Sequence, residues 1–419
     1  MFRSRRSSHP RCDCVPLWHS SRPAVTVTLL VGQQFFENYS EQRRKVVDIG
    51  LFMVPFRLPE TNLQDGFDWD MQVIRWAEEY GLSEVWVGEH TTQRWEPVAS
   101  PELYLAAAIT QTSRIKLATG ANVPANHNPI ALAHRLMQFD HMSRGRLMVG
   151  LGAGATREDL QIHGTSEPKP MMAEAVEIMR KVWSGEGPQR HEGKYWTLDI
   201  PAYSEELSGP FMKPYQQPHP PLAMAGLSPN SGTLKEAGAA GCLPMSFAIN
   251  RDYLAGHWHK YVEGAESAGH KPNRNDWRVA HTVFVADTDE EAMELAIKGG
   301  LGRSYREWTW PSYARSGMLP LMAPELDEHD PATMSLEYFA ENHWLIGSPD
   351  TVVKKLQRDV EVSGGFGTLI AFTFDYLDQP EAYRRNLELL GTEVLPFIKD
   401  LEHQTESLAD LQQQVAVAR

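Results

Sequence analysis

The sequence predicts a (β/α)8 TIM barrel, an α/β fold, with insertions in its loops. From residue 46 onward, short apolar segments alternate with helical segments, and this alternation is typical of parallel strands covered by helices. Eight such units occupy about 350 residues, which is the scale of a barrel enlarged by insertions. A doubly wound open sheet is the alternative, but no G-x-G-x-x-G motif opens a helix after the first strand.

Eight short apolar segments predict the barrel strands. The first stops at Pro55, the second ends in Gly88 before two titratable residues, and the sixth is the weakest. In chain order they cover residues 47–54, 85–88, 115–119, 146–151, 221–225, 242–245, 278–286 and 368–373.

Helical patterns lie between and after these strands. Asp68 is the predicted N-cap of the first helix and Gly81 its stop. The predicted helices cover residues 68–80, 101–112, 129–142, 171–183, a segment through 234–237, 253–268, 290–301, 349–363 and 381–399. Two insertions, at residues 184–220 and 302–347, are rich in Trp, Tyr, Pro and Met, unlike Gly/Ser linkers. They predict either walls of a pocket or long loops packed on the barrel.

Composition restricts the partners. The net charge of −14 argues against nucleic acid or an anionic membrane. The cysteines at positions 12, 14 and 242 show no metal-ligand spacing, so the sequence predicts no metal site and a reduced, cytoplasmic protein. Outside the N-terminal 45 residues, no apolar run approaches the ~20 residues that span a membrane.

Residues 1–45 differ from the rest of the chain. They combine Arg3, Arg5 and Arg6 with scattered Ser and Pro and an apolar run at 24–32. The run lies late and no small-x-small cleavage site follows it, so a secretory signal is disfavoured. We expect a disordered or spuriously translated extension over 1–45, the barrel domain over 46–400 and a tail over 401–419.

Glu89 and His90 follow the second predicted strand directly. Catalytic side chains of barrel enzymes lie at the carboxyl ends of the strands, and His titrates near neutral pH. The pair therefore predicts a catalytic position; the structural alternative is a histidine that caps a strand.

Several blocks together resemble the bacterial luciferase-like flavin-dependent monooxygenases. They are Gly88 to Thr91, residues 115–129, residues 134–154 with their Ser-x-Gly-Arg turn and Gly-rich strand end, and residues 224–231. The resemblance extends over residues 47–399 and is greatest to the limonene-monooxygenase-like, two-component type. The segment order matches the order of elements predicted above.

The resemblance implies an FMN site. The implied cofactor-binding residues are Thr119, Gly120, Asn122, Asn126, Gly152, Ala153, Gly154, Leu227, Ser228 and Ser231. Glycines at 150, 152 and 154 would let backbone approach a flat ligand, and the helix N-terminus after Ser231 would suit a phosphate. Strand packing by the glycines and simple capping of the helix are the alternatives. The family's arginine is replaced by Ala153, with Arg157 nearby, and its non-proline cis peptide would fall near residues 119–121.

The resemblance also implies a reaction. Reduced FMN, supplied by a separate flavin reductase, and O2 would oxygenate a small hydrophobic substrate, such as a terpene, ketone or aldehyde, through a C4a-hydroperoxide. His90 would be the acid/base, a task suited to a pKa near 7, and Glu89 would orient His90 or contact the flavin. Implied pocket walls are Met53, Phe56, Trp95, Trp308, Trp310, Trp344 and Phe372, although each could be plain core. A homo-oligomer is expected.

Three other functions are compatible with the sequence. A deazaflavin (F420)-dependent oxidoreductase on the same fold would need no oxygen. A non-catalytic flavin-binding relative is a second alternative. A metal hydrolase is a weaker one, because His127, His134 and His141 recur at intervals of seven and drift around a helix.

Overall fold

A closed barrel of eight parallel strands forms the centre of the protein. The computed structural model describes residues 48–398, apart from 186, 207 and 208. The strands in this part of the chain are β1 Asp48–Phe56, β2 Glu84–Val87, β3 Lys116–Asn122, β4 Leu147–Leu151, β5 Gln189–Glu192, β6 Thr197–Ile200, β7 Leu222–Gly226, β8 Leu243–Phe247, β9 Arg278–His281, β10 Val283–Val285, β11 Leu345–Gly347 and β12 Thr368–Phe374. The barrel order is β1-β12-β9-β8-β7-β4-β3-β2, so the predicted TIM barrel is confirmed.

Helices follow the barrel strands and cover their outer faces. In the described ranges they are α1 Leu63–Glu79, α2 Pro101–Ile109, α3 Pro129–Ser143, α4 Arg157–Ile162, α5 Pro168–Ser184, α6 Gly232–Ala239, α7 Leu254–Ser267, α8 Asp289–Lys298, α9 Gly300–Ser304, α10 Trp310–Ser316, α11 Leu336–Asn342, α12 Pro349–Ser363, α13 Pro380–Leu389 and α14 Leu395–Ile398. None of the helices described is both long and apolar enough to cross a membrane.

One side chain from each barrel strand fills the interior. The eight are Phe52, Trp86, Ala118, Met148, Ala223, Met245, Ala280 and Ile370. Large and small residues complement each other in this layer, as close packing requires. Neighbouring residues along each strand point outward and pack against the helices. Burial on both faces explains why the strands appear in the sequence as nearly continuous apolar runs.

The amino end of the barrel is closed by an ionic group. The Glu84 carboxylate accepts a hydrogen bond from the Trp86 indole at 2.8 Å. It also accepts two from the Arg278 guanidinium, at 3.2 and 3.1 Å. Glu84 and Arg278 are the first residues of their strands, so this group lies at the amino end and leaves the carboxyl end for a site.

The structure corrects three predicted elements. The strand predicted over 278–286 is interrupted at Thr282, whose hydroxyl lies 2.6 Å from the Tyr305 hydroxyl. Its second half, β10, pairs with β11 from the 302–347 insertion instead of continuing in the barrel. Helix α1 begins at Leu63 and not at 68, because the Asn62 side chain accepts the Gln64 N–H at 2.8 Å and caps it earlier. The 184–220 insertion contains an antiparallel hairpin, β5–β6, that was not predicted. The predicted extension at 1–45 and tail at 401–419 lie outside the described residues.

Candidate active site

Glycines lie at the carboxyl ends of three neighbouring barrel strands. Gly88 follows β2, Gly120 lies in β3 and Gly152 follows β4; we call these three the glycine shelf. A Cβ atom at Gly88 would lie 3.6 Å from the Gly120 carbonyl oxygen, so the two are in contact distance. A Cβ atom at Gly152 would lie 3.2 Å from the Ala121 Cβ. The peptide bond between Gly120 and Ala121 is cis, at the place the resemblance implied.

The other two glycines of the Gly-rich segment have packing roles. A Cβ atom at Gly150 would lie 2.3 Å from the Thr119 carbonyl oxygen, so a glycine is needed where β4 meets β3. Gly154 has a φ of +88°, which only glycine adopts without strain. A Cβ atom there would also meet the Leu160 side chain at 2.6 Å. Of the three glycines singled out in the sequence, only Gly152 therefore lies on the shelf.

His90 lies beside the shelf, between two carboxylates. Its Nδ1 lies 3.1 Å from Asp159 Oδ2, and its Nε2 lies 2.9 Å from Glu96 Oε2. The imidazole is 21% exposed. Burial alone would lower the pKa of His90, but the Glu96 and Asp159 carboxylates outweigh it and raise this pKa to about 10. The structure therefore departs from the expected value near 7, because two anions face one ring.

Asp159, at the third position of α4, is held by four groups. Its Oδ1 accepts hydrogen bonds from the Thr91 N–H at 3.1 Å, the Thr92 N–H at 2.7 Å and the Thr92 hydroxyl at 2.7 Å. Its Oδ2 faces His90. Burial alone would raise the pKa of Asp159, but these donors lower it to about 2, so the carboxylate is anionic at neutral pH.

Glu96 connects His90 to the 302–347 insertion. Its Oε1 accepts a hydrogen bond from the Trp308 indole at 2.7 Å, while its Oε2 faces His90. Next to it, the Trp95 ring stacks on Trp308 with the centroids 6.4 Å apart. The insertion is thereby fixed to the loop that carries His90.

Glu89 contacts a different set of residues from the one expected. Its Oε1 lies 2.9 Å from His127 Nε2, and its Oε2 accepts the Asn122 amide at 3.2 Å. Asn122 also donates to Glu102 at 3.2 Å, Glu102 accepts from Arg135 at 2.8 Å, and Arg135 lies 3.4 Å from His127 Nδ1. These five residues form a closed polar ring under the end of β3. Glu89 does not touch His90 in this structure, because consecutive side chains leave the strand end in opposite directions.

The N-terminus of α6 has no side-chain cap. Ser231 is the N-cap residue and is 4% exposed, but its hydroxyl forms no capping hydrogen bond. No atom lies within 4 Å of a Cβ position at Gly232, the first residue of the helix. Helix N-termini expose free N–H groups that suit an anion. Leu227 is half-buried and Ser228 exposed, and the Ser228 carbonyl accepts from His257 Nε2 at 2.9 Å.

The remaining implied cofactor residues have varied surroundings. Thr119 is fully buried and its hydroxyl lies 3.5 Å from the Gly150 carbonyl oxygen, between β3 and β4. Asn126 Oδ1 accepts the Thr165 hydroxyl at 2.6 Å, which ties it to the loop before α5. Ala153 is half-buried next to Gly152.

The predicted pocket-wall residues lie in three places: inside the barrel, beside His90, and in or against the outer core. Phe372 points into the barrel, where it and Phe52 contact Phe247 at centroid distances of 5.8 and 5.3 Å. Trp95 and Trp308 lie by His90, as described above, and Phe56 stacks on Phe374 at 5.3 Å. The other three side chains are buried in the outer core under the helices and do not face the barrel interior: Met53, Trp310 and Trp344.

The three histidines of the metal alternative do not share a site. His127 contacts Glu89, His134 Nδ1 lies 2.8 Å from the Ile130 carbonyl oxygen, and His141 Nε2 lies 2.8 Å from that of Lys213. Within residues 48–398, as far as described, no group of three or more His, Cys, Asp or Glu side chains could hold a metal ion.

Sequence reasoning missed several residues of this region. Glu96 and Phe247 carried a weak signal, since Glu96 neighbours a predicted wall residue and Phe247 lies two residues after a predicted strand. Asp159 and Arg135 carried none, because their partners lie 69 and 33 residues away in the chain.

Comparison with known proteins gives the family. The family model for luciferase-like monooxygenases matches residues 48–365. The 3,6-diketocamphane 1,6-monooxygenase of Pseudomonas putida is 35% identical over 376 residues, with 84% of this chain and 98% of that protein covered. The limonene 1,2-monooxygenase of Rhodococcus erythropolis is 28% identical over 355 residues, covering 84% and 86%.

A solved structure agrees. The oxygenating constituent of 3,6-diketocamphane monooxygenase from Pseudomonas putida, a type II Baeyer-Villiger monooxygenase in complex with FMN, has a TM-score of 0.79 and 35% identity. It covers 85% of this chain, and all of that chain is matched. The family match includes seven of the eight barrel strands, the glycine shelf and the residues around His90, and the protein belongs to the luciferase-like monooxygenases.

Proposed function

We propose that the protein uses reduced FMN and O2 to oxygenate a small hydrophobic ketone of terpenoid size. The observation that carries this is the glycine shelf at the carboxyl ends of β2, β3 and β4 with His90 at its edge. The relatives reported above support the ketone, since the most similar of them are named for diketocamphanes and one is described as a Baeyer-Villiger enzyme.

The residues present fit FMN. The shelf would let the flat ring system approach the backbone, since Gly88, Gly120 and Gly152 have no Cβ atoms of their own. Asn122 is fully buried, and its Oδ1 has no hydrogen-bond partner among the described residues. The Asn122 amide nitrogen donates to Glu89 and Glu102, which fixes the orientation of the amide. Its oxygen is therefore an acceptor that an N–H group of the flavin ring would satisfy. The N–H groups at the start of α6 and the Ser231 hydroxyl would hold the phosphate.

When bound, reduced FMN supplies the two electrons that activate O2. The protein's own contribution is to position the reactants, exclude water and move a proton. His90 is the residue that can hold or move a proton at the shelf, from its Nε2. The ring of polar residues around Glu89 holds the end of β3 rigid and thereby fixes the shelf.

The substrate would occupy the apolar side of the barrel mouth. Phe52, Phe247 and Phe372 form an aromatic surface at the carboxyl half of the barrel, and Phe52 lies against Gly120. Trp95 and Trp308 would close the opposite side. Such a pocket binds an apolar ligand by its area and has few polar groups that would hold a charged one.

Two partners complete the proposal. A flavin reductase would supply reduced FMN, because the solved relative is described as only the oxygenating constituent of its system. A homo-oligomer is supported by apolar side chains left exposed on α1 and α2: Leu63 at 53%, Phe67 at 38% and Leu103 at 73% exposure.

The test is oxygenation by the purified protein. Reduced FMN, generated by an added flavin reductase, would be supplied with 18O2 and a panel of monocyclic and bicyclic terpenoid ketones, with terpenes and aldehydes as comparison substrates. We expect a product with one 18O atom, detected by mass spectrometry. Absence of labelled product from every substrate would contradict the proposal.

The deazaflavin alternative is separated by the same assay. Reduced FMN would be replaced by reduced F420 without oxygen, and hydride transfer to the ketone would be followed by the absorbance of the oxidised deazaflavin. Turnover in this arm alone would replace the oxygenase proposal. Absence of turnover in both arms, with flavin binding retained, would favour a non-catalytic flavin-binding protein.

A further inference from the structure

Asp159, His90 and Glu96 form one unit, which we call the imidazole clamp. We propose that His90 carries protons on both ring nitrogens in the resting enzyme and therefore enters the reaction as an acid that acts from Nε2. In this arrangement Glu96 keeps the proton on Nε2, and Asp159 is a positioning residue. The reaction in which the acid acts rests on the function proposed above; the protonation state does not.

The contacts of the imidazole carry the inference. Each ring nitrogen faces a carboxylate oxygen, at 3.1 Å from Asp159 and 2.9 Å from Glu96. An ionised carboxylate only accepts hydrogen bonds, and a neutral imidazole has a single N–H. A neutral His90 would therefore turn a lone pair towards one of the two carboxylates. Either His90 is doubly protonated, or one of the carboxylates carries the second proton.

Asp159 cannot be the carboxylate that carries it. Its Oδ1 is already the acceptor of two backbone N–H groups and of the Thr92 hydroxyl, which stabilise the anion. Glu96 has one other donor, the Trp308 indole, on its Oε1, and its Oε2 is directed at His90. The two sides of the clamp are thus unequal: Nδ1 is fixed, and Nε2 is the nitrogen whose proton can be exchanged.

Few other groups act on the clamp. The Thr156 hydroxyl lies 3.4 Å from His90 Nδ1 and is neutral. His163 Nε2 contacts the Thr91 hydroxyl at 2.9 Å, one residue further from the ring. From α10, Tyr313 faces Glu96, and burial together with that carboxylate raises the pKa of Tyr313 to about 12. No described cation competes with His90 for the two carboxylates.

The edge of the ring that carries Nε2 is the edge next to the shelf, while Nε2 itself contacts Glu96. The Cδ2 atom, which is bonded to Nε2, lies 3.9 Å from the Cβ position at Gly88, and Gly88 is in contact with Gly120. Nδ1 points away, to α4. The proton on Nε2, shared with Glu96, is therefore on the ring edge nearer the shelf, whereas the proton on Nδ1 is on the side of α4.

The proton balance of ketone oxygenation is consistent with His90 acting as an acid. One atom of O2 enters the bond between the carbonyl carbon and its neighbour, and the other leaves as water. The two electrons and two protons that this balance needs would come from reduced FMN. His90 gives its Nε2 proton to the departing oxygen and receives one of the two flavin protons in return, so that the resting state is restored.

The test reads the protonation state directly, without flavin or substrate. Protein with 15N-labelled histidine rings would be titrated by NMR from pH 6 to 10, with the His90 signals assigned by their loss in His90→Gln. We expect both ring nitrogens to stay protonated through pH 8. In Glu96→Gln the midpoint should fall by more than one pH unit, and in Asp159→Asn it should fall as well. Glu325→Gln is the matched control, because Glu325 contacts another imidazole, His343, at 2.7 Å; it should not move His90.

Two outcomes would overturn the inference: a wild-type midpoint near 6.5, or a midpoint unchanged by Glu96→Gln in a folded variant. If Glu96→Gln does not fold, the wild-type titration alone decides. The pH profile of product formation gives a second readout, since an acid loses activity on the alkaline side and Glu96→Gln should move that limb to lower pH. If His90 is doubly protonated but no ketone is oxygenated, only the proposed function is contradicted. If a ketone is oxygenated but His90 is neutral, only the inference about His90 is contradicted.

Discussion

Replacing Gly232 by Asp should change stability and FMN binding in opposite directions. Apart from the adjoining residues and the backbone of α6 itself, no atom lies within 4 Å of a Cβ atom at this position, and the φ of Gly232 is not positive, so the side chain fits without a clash. A carboxylate in the first helical turn stabilises a helix by about 0.3–1 kcal/mol. Replacing a glycine also reduces the conformational entropy of the unfolded chain, which adds about 0.4–1 kcal/mol to the free energy of unfolding. The melting temperature should therefore rise slightly.

The same carboxylate would occupy the space proposed for the FMN phosphate. At ~5 Å and an effective dielectric constant of roughly 40–80, one negative charge and a phosphate of charge about −2 repel by about 2–3 kcal/mol. This corresponds to a loss of affinity of ~30- to 150-fold. The side chain introduced by Gly232→Asn has nearly the same shape as that of Gly232→Asp but no charge, so this variant should lose much less affinity for FMN.

Titration of FMN fluorescence, with the melting temperatures of the free proteins, measures both effects. If Gly232→Asp binds FMN as tightly as Gly232→Asn does, the phosphate lies elsewhere, and Arg157 at the start of α4 becomes the next position to examine. A melting temperature that falls by several degrees would instead mean that the space at Gly232 is not open. Either result would refute the reasoning.

Three further perturbations follow from named contacts. His90→Gln should slow product formation by ~10²-fold or more while oxygen is still consumed and released as hydrogen peroxide, which a combined product and peroxide assay would show; normal product formation would leave His90 a structural residue. Lys355→Met removes hydrogen bonds to three backbone carbonyls, those of Ala340, Trp344 and Ile346, at 2.6, 3.3 and 2.9 Å. The loss should destabilise the end of the 302–347 insertion by about 2–4 kcal/mol. Amide hydrogen exchange at residues 336–347 should become faster. Burial alone would raise the pKa of Glu78, but the backbone N–H groups of residues 113–115 lower it to about 2. The contribution of Glu78 to the free energy of unfolding is therefore complete above about pH 4.3 and is lost as the pH falls towards 2. In Glu78→Gln, urea titrations at pH 2–5 should show a smaller loss of stability with falling pH.

The barrel could be predicted because its signal is local. All eight barrel strands are buried on both faces and therefore form compact apolar runs, which helices separate along the chain. The interruption at Thr282 could not be predicted in this way, because β10 is as apolar as β9. What ends the barrel strand is a long-range event, the pairing of β10 with β11 some 60 residues later.

The site could be predicted only in part, for the same reason. The position of His90 follows from a strand end, and the shelf glycines follow from the family resemblance. Gly150 and Gly154 show the limit of a motif, since the same Gly-rich segment serves packing at two positions and the shelf at one. Asp159 lies in a six-residue helix without a sequence signature, and only the folded chain brings it to His90.

Adjacent residues of the most informative dipeptide take part in two separate networks. Glu89 turns towards β3 and joins the ring with Asn122 and His127, whereas His90 turns towards α4 and joins the clamp. One network fixes the backbone on which the flavin would lie, and the other fixes the imidazole beside it. Since the two residues share one backbone segment, a shift in either network displaces the other. We therefore expect Glu89 to act on the placement of His90 without touching it, because Glu89 holds the strand end from which the imidazole extends.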